Sequence, residues 1–581
     1  MKIYLAKTSG FCEGVQRALT RTIEVISSKK EGDAVYTYGP LIHNPQTLDM
    51  LKRQGVNILT NSDPGPDSEI IIRTHGVSPD EYKKLKAGCT RLINATCSKV
   101  ARVQGIIKKF VKQGGRVFII GDRDHAEVKG LLGFSRGQGL VLGNLAEAQQ
   151  VTDGNNALIV VQTTFEEKDF NTIVYYMQST FKGIRVHNTI CSSTHDRQAE
   201  VIKLCKMVDV MIVTGGKESA NTGRLASICR DNGVTAFHVE HPEEIRDINL
   251  SGCDIIGVTA GASTPRWIIN QALEEIEQLD RRSFRGVIRR LSKFTVYSYL
   301  SLSIAAAALS YIFTTFMETT RDFRFAAIAF LYVYALGNIN VNIFGLESGE
   351  TADNEKELNQ FYRAHKWWLL LSTCFALIGA LAISYRLNVF SFILVAASIF
   401  LGTLFNVKLF SGMLARKTGF ASLREIPGSK DIFIPLALST VIVLVPAFSG
   451  FHGGGVSLVI ISFFITALLI FLRSTLLHLI DIEEDRIVGR DTIPTVLGER
   501  KTVKVITVTV LGFIAALFLI SVAGIGWPGS FLFSFNALAV LVLIRLFRER
   551  LIMRYYLFAL ALDMNLIFSF VVAYFGKMVI S

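Results

Sequence analysis

The chain has 581 residues, too many for a single domain, and half of them are hydrophobic. Its formal charge of +12 does not mark a nucleic-acid partner, because the lysines and arginines cluster in short loops beside long apolar runs, as the positive-inside pattern requires. The start, Met1-Lys2-Ile3-Tyr4-Leu5, carries no leader-like apolar core, so the first half is expected to be cytoplasmic and its seven of the chain's eight cysteines to be reduced thiols rather than a disulfide framework.

In chain order, the first half predicts alternating strands and helices. Apolar runs at Glu69–Ile72, Val117–Ile120, Leu158–Val161, Val208–Val213 and Ile255–Val258 read as buried parallel strands. Polar or glycine-containing turns follow them, then helical patterns such as Pro79–Lys86 and Ser98–Gln113. In open α/β sheets ligands bind at the carboxyl ends of strands, where the candidate site residues fall.

Three cysteines, Cys12, Cys97 and Cys191, sit in Gly- or Thr-containing turns and are too far apart for a local metal knuckle. Polar residues recur at similar offsets behind each: His43 and His75 after Cys12, His125 and Thr163 after Cys97, Ser219 and Ser263 after Cys191. This reads as a threefold repeat that brings one thiolate per unit to a common axis. Three converging thiolates suit an iron–sulfur cluster with one open iron. The other cysteines, at 89, 205, 229, 253 and 374, lack that turn context and read as small hydrophobes.

Leu279–Lys293 carries six basic residues among apolar ones and predicts a basic helix lying on an anionic lipid surface. Nine apolar spans follow, near 295–317, 325–346, 367–387, 389–407, 432–449, 456–480, 503–523, 528–546 and 554–577, each of a length that crosses about 30 Å of hydrocarbon. Basic residues gather in the loops after the second, fourth, sixth and eighth, which predicts a multi-pass protein of the cytoplasmic membrane with its first half on the cytoplasmic side.

The first-half motifs are Gly10-Phe11-Cys12-Glu13-Gly14, Gly39-Pro40-Leu41-Ile42-His43-Asn44, Thr74-His75-Gly76-Val77, Ala95-Thr96-Cys97, His125-Ala126-Glu127-Val128, Gln162-Thr163-Thr164, Asn188-Thr189-Ile190-Cys191, Ser219-Ala220-Asn221 and Ala260-Gly261-Ala262-Ser263. Together they resemble the 4-hydroxy-3-methylbut-2-enyl diphosphate reductase family of isoprenoid biosynthesis. The resemblance implies a three-unit, pseudo-threefold α/β domain over 1–278, with a 4Fe–4S cluster on Cys12, Cys97 and Cys191. It implies Glu127 as proton donor and Thr163 as relay. His43, His75, His125, Ser219, Ala220, Asn221 and Ser263 would bind an allylic diphosphate, and an electron carrier such as ferredoxin or flavodoxin would be the redox partner. Departures stand at Ala220, where a second serine is usual, at Glu218 in place of Asn, and at Ser98 and Ala126 in place of prolines.

After a basic linker, 279–294, the remainder, 295–581, resembles UbiA-like intramembrane prenyltransferases, with Asp481-Ile482-Glu483-Glu484-Asp485-Arg486, Gly489-Arg490-Asp491 and Pro427-Gly428-Ser429-Lys430-Asp431 as the matching stretches. The resemblance implies an all-α nine-helix transmembrane domain in contact with membrane lipid. Asp481 and Asp485, four apart, would share a helix face and hold Mg²⁺ for a prenyl diphosphate. The other aspartate motif of that family reads Asn338, Asn342 and Leu346 here, with Glu347, Glu350 and Asp353 just beyond. Three readings follow: a reductase fused to an active prenyltransferase, a reductase anchored by an inactive UbiA-like half, or a non-catalytic iron–sulfur or diphosphate sensor.

Overall fold

The computed structural model describes residues 1–28, 34–59, 68–279, 284–317, 322–341, 353–405, 428–450, 456–482, 492–523, 533–548 and 554–580, with isolated positions 407, 423, 426, 485 and 531. The chain divides into two compact units, Met1–Arg281 and Arg282–Ser581.

The first unit contains three four-stranded sheets, parallel throughout. In chain order the strands are β1 (Lys2–Leu5), β2 (Ala34–Tyr38), β3 (Val56–Leu59), β4 (Ser68–Ile72), β5 (Arg91–Asn94), β6 (Val117–Ile120), β7 (Gly139–Leu142), β8 (Leu158–Val161), β9 (Arg185–Val186), β10 (Val210–Thr214), β11 (Thr235–Val239) and β12 (Ile255–Ala260). The sheet orders are β1-β12-β10-β11, β3-β2-β4-β5 and β7-β6-β8-β9. The five strands visible as apolar runs are β4, β6, β8, β10 and β12, all interior. Burial on both faces leaves no room for polar alternation, and β6, β8 and β10 are buried at every residue.

The repeat is phased differently from the sequence reading. β1 closes the sheet otherwise built from the last strands, pairing with β12 in register Lys2↔Ile255 to Leu5↔Val258. Each cysteine follows the edge strand of its sheet: Cys12 after β1, Cys97 after β5, Cys191 after β9. The structural triples are therefore His43, His75 and Cys97; His125, Thr163 and Cys191; Ser219, Ser263 and Cys12. A cysteine closes each triple rather than opening it, which linear offsets could not reveal because the third unit is split between the two ends of the domain.

The second unit is helical. Among the described residues each predicted span overlaps a helix, namely Leu300–Phe316, Phe323–Ile339, Asp353–Leu387, Val389–Leu404, Ser429–Ser449, Val456–Ile480, Glu499–Val522, Ser534–Arg548 and Tyr555–Ile580. Among the described residues four of these are long and apolar enough to cross a membrane, and a fifth crossing arises if Gly286–Tyr297 and Leu300–Thr314, bent by 64°, act as one. Phe323–Ile339, Val389–Leu404 and Tyr555–Val571 are apolar but shorter. The basic stretch is helical over Phe284–Tyr297. Its break from the next helix falls at Tyr299, held at φ +60° with its ring against Gly337, where a Cβ would lie 2.5 Å from the ring.

Candidate functional site

In the first unit the site grows from helix N-termini. Cys97, Cys191, His125 and Ser219 are the N-cap residues of Ser98–Val111, Ser192–Cys205, Ala126–Phe134 and Ala220–Asp231, while Cys12 immediately precedes Glu13–Ser28. Helix starts present unsatisfied N–H groups and positive dipole ends, which favour thiolates and phosphate oxygens.

The sulfurs of Cys12 and Cys97 converge on Gly14. A Cβ at Gly14 would stand 2.7 Å from Cys97 Sγ and 3.7 Å from Cys12 Sγ, so only glycine leaves room for them. Gly10, at φ +105°, turns the backbone into this loop. Cys191 binds its N–H to the Thr163 carbonyl at 2.9 Å, which ties it to the Glu127 side of the site. None of the three forms a disulfide. The glycine cradle and the free thiols of Cys12 and Cys97 suit two ligands of a cluster, and Cys191, a free thiol at a helix start tied to Thr163, is of the same chemical kind.

Glu127 is buried, 1% exposed. Its Oε1 accepts the Thr163 N–H and its Oε2 the Thr163 hydroxyl, both at 2.8 Å. Burial pushes its carboxyl up to about 7, against the lowering pull of the two Thr163 bonds. It therefore sits near half-protonation at neutral pH, where an acid catalyst works best.

His43, His75 and His125 form a triangle with ring centroids 5.1, 5.1 and 6.3 Å apart. Burial holds all three below the usual histidine value, His125 at about 4, so they are neutral at pH 7. Their nitrogens lie within 4.8 Å of one another, close enough for a metal ion. The tautomer argues otherwise: His125 Nδ1 accepts the Glu127 N–H at 3.2 Å, which puts the ring proton on Nε2. A protonated nitrogen donates to an anion and does not ligate a cation.

Around the triangle, His75 Nδ1 and both polar atoms of the Asn221 side chain are buried without a protein partner, as a polar ligand site requires. Ser219 Oγ accepts from the Thr222 hydroxyl at 2.9 Å, leaving its own proton to give. Ser263 instead donates to the His43 carbonyl at 3.1 Å and braces the loop. Ala220 opens its helix and offers no side-chain donor. The Glu218 charge acts on His43, placing an anion near this rim. The sequence reading missed Arg73, whose charge acts on all three histidines, and Arg224, which lies 4.8 Å over the Phe165 ring and pairs with Asp122 at 3.4 Å. Neither arginine carries a local sequence signal.

In the second unit Asp481 and Asp485 are one helical turn apart, the Asp485 N–H reaching the Asp481 carbonyl at 2.8 Å. Asp485 is buried and Asp481 half-buried. Asn338 faces inward: its Nδ2 donates to Ser298 O at 3.0 Å and Tyr334 O at 2.8 Å, and its Oδ1 accepts the Tyr362 hydroxyl at 2.7 Å. These bonds tie Asn338 to neighbouring helical segments. Asp431 is a joint: its Oδ1 meets His478 Nδ1 at 2.7 Å and its Oδ2 accepts the Ile493 N–H at 3.0 Å. Asn342, Leu346, Glu347, Glu350, the Asp353 side chain, Pro427, Glu483, Glu484, Arg486, Gly489, Arg490 and Asp491 lie outside the described residues.

Comparison with known proteins follows the same division. The LytB protein family model matches residues 3–277 and the UbiA prenyltransferase family model matches 362–556. A curated 4-hydroxy-3-methylbut-2-enyl diphosphate reductase of Alkaliphilus oremlandii is 37% identical over 280 residues, 48% of this chain and 100% of that protein. A solved structure of (E)-4-hydroxy-3-methyl-but-2-enyl diphosphate reductase is 35% identical, over 48% of this chain and 100% of its own, with a TM-score of 0.38. The apo structure of a UbiA homolog from Aeropyrum pernix aligns at 13% identity over 45% of this chain and 94% of its own, with a TM-score of 0.32. Through its first unit the chain belongs to the 4-hydroxy-3-methylbut-2-enyl diphosphate reductase family, and its helical unit matches the UbiA prenyltransferase family.

Proposed function

We propose that residues 1–278 reduce 4-hydroxy-3-methylbut-2-enyl diphosphate to isopentenyl and dimethylallyl diphosphates. One observation carries this reading: Glu127, buried and bonded to Thr163, shares a helix start with His125 of the histidine triangle, while the Thr163 carbonyl holds the N–H of Cys191. The reaction takes two electrons and two protons, breaks the allylic C–O bond and releases water. Bound to Cys12, Cys97 and Cys191, a 4Fe–4S cluster would supply the electrons singly and Lewis acidity toward the hydroxyl. Glu127 gives one proton to the departing hydroxyl, relayed by Thr163. The second proton ends on an allylic carbon and decides between the two products. His43, His75, His125, Ser219 and Asn221 hold the diphosphate, with Ser263 and the Ala220 helix start shaping its pocket. An external ferredoxin- or flavodoxin-type carrier delivers the electrons.

Anaerobically purified, reduced protein should give an electron paramagnetic resonance signal that changes on adding the hydroxylated diphosphate. An unchanged signal, or a Cys97→Ser chain that still supports growth of a reductase-deficient strain, would defeat the assignment.

For the helical unit we infer a membrane placement with the reductase half on the cytoplasmic side, and Mg²⁺-assisted handling of a prenyl diphosphate at Asp481 and Asp485. The inward bonds of Asn338 favour a second reading, in which this unit anchors the reductase without transferring prenyl groups. A Mg²⁺-dependent prenyl product that disappears in Asp481→Asn while reductase activity persists selects the first reading. No such product from the unaltered chain selects the second.

A further inference from the structure

The helix that starts at Cys191 also holds the loop that ends at Cys12. Glu200, on Ser192–Cys205, accepts the Lys7 N–H at 2.7 Å and the Thr8 N–H at 2.8 Å through its two oxygens. One turn earlier Arg197, 2% exposed, donates to the Gly10 carbonyl at 2.6 Å and to the Ala260 carbonyl at 3.0 Å. Cys12 then closes the loop with its N–H on Ala262 O at 3.1 Å. Two side chains of one helix thus grip both polarities of one backbone loop, and that loop belongs to a different sheet. The Arg197 charge also acts on the Cys12 sulfur. No bond of the proposed reaction involves either residue.

We propose that Arg197 is a positioning residue for the cluster, seating the Cys12 loop on the Cys191 helix and fixing a positive charge behind the Cys12 sulfur. The inference rests on the cluster reading given above. A planar, permanently charged guanidinium suits the task, because it can fork to two carbonyls from a buried position where an ammonium reaches one well. Such supporting contacts orient metal ligands and tune the metal they hold.

The test uses the full-length chain, purified and reconstituted without oxygen, as wild type, Arg197→Met, Arg197→Lys and Glu200→Gln. Two quantities are read: the cluster midpoint potential from a resonance-monitored titration, and the rate of iron release to a chelator. Arg197→Met should lower the potential, since the reduced cluster loses a nearby cation, and should speed release about tenfold. Arg197→Lys should keep the wild-type potential yet release iron faster. Glu200→Gln should speed release while moving the potential the other way, because it removes an anion. Wild-type potential and release rate in Arg197→Met, or equal potentials in the Met and Lys variants, would overturn the proposal. Should Arg197→Met not fold, wild-type values of both quantities in Glu200→Gln together with a wild-type release rate in Arg197→Lys would overturn it. A wild-type chain without iron and acid-labile sulfide would instead defeat the cluster reading itself.

Discussion

Glu127 is a buried carboxyl raised to about 7 and bonded twice to Thr163, and the proposed reaction makes it the proton donor. Under the proposed reaction its acid form is the donor, so turnover should fall as pH rises through about 7. Glu127→Gln, which keeps the size but has no proton to give, should lower kcat by about 10²–10⁴-fold while iron and sulfide content stay unchanged. The same group is linked to stability. Its folded value lies above the ordinary 4.5, so its contribution is fully present below 4.5 and is lost as pH rises through about 7. Melting curves of the Gln variant should therefore show a flatter pH dependence than wild type across that window. Gly14 supplies a second residue-scale expectation. Gly14→Ala would set a methyl 2.7 Å from Cys97 Sγ, so the variant should fold by circular dichroism yet retain much less iron after reconstitution. The histidines, Glu127 and the three cysteines were legible because each follows a strand in a recognisable motif. Arg197 and Glu200 were not, since their partners lie in another sheet and are backbone groups, and Arg73 was not, since it acts on the histidines through charge alone.

At the scale of elements, burial decided what could be read. Strands buried on both faces announce themselves as apolar runs, whereas β3, β5 and β9 are short and mixed in exposure, with nothing periodic to find. β2 is interior yet alternates as Ala-Val-Tyr-Thr-Tyr, which hides it from a search for continuous apolar runs. In the helical unit, spans were legible from length and composition, but the joints between them were not. Asp431 is such a joint: fully buried, it links the start of Ser429–Ser439 to His478 and to the start of Ile493–Leu497. Asp431→Asn keeps the shape but removes the charge from both bonds. It should destabilise the full-length protein in detergent by about 1–3 kcal/mol, read as a lower melting temperature with reductase activity retained until melting.

On the whole-molecule scale, the two compact units meet between Arg281 and Arg282 in the chain. The sequence showed this division as a shift from mixed composition to apolar runs. A chain ended after Arg281 should appear in the soluble fraction, carry iron and sulfide, and lose the membrane association of the full chain; a truncated product found only in aggregates would speak against an autonomous first unit. Beyond that division, the pairing of β1 with β12 has a consequence for how the protein is made. The ribosome delivers β1 first and its partner only some 250 residues later, near Ile255. Until then the opening strand has no sheet to join, and the cysteine behind it has no fixed place beside the other two. Nascent chains stalled before that point should take up no cofactor, whereas chains stalled after the first unit has cleared the exit tunnel should do so, which makes cofactor loading a late event in synthesis.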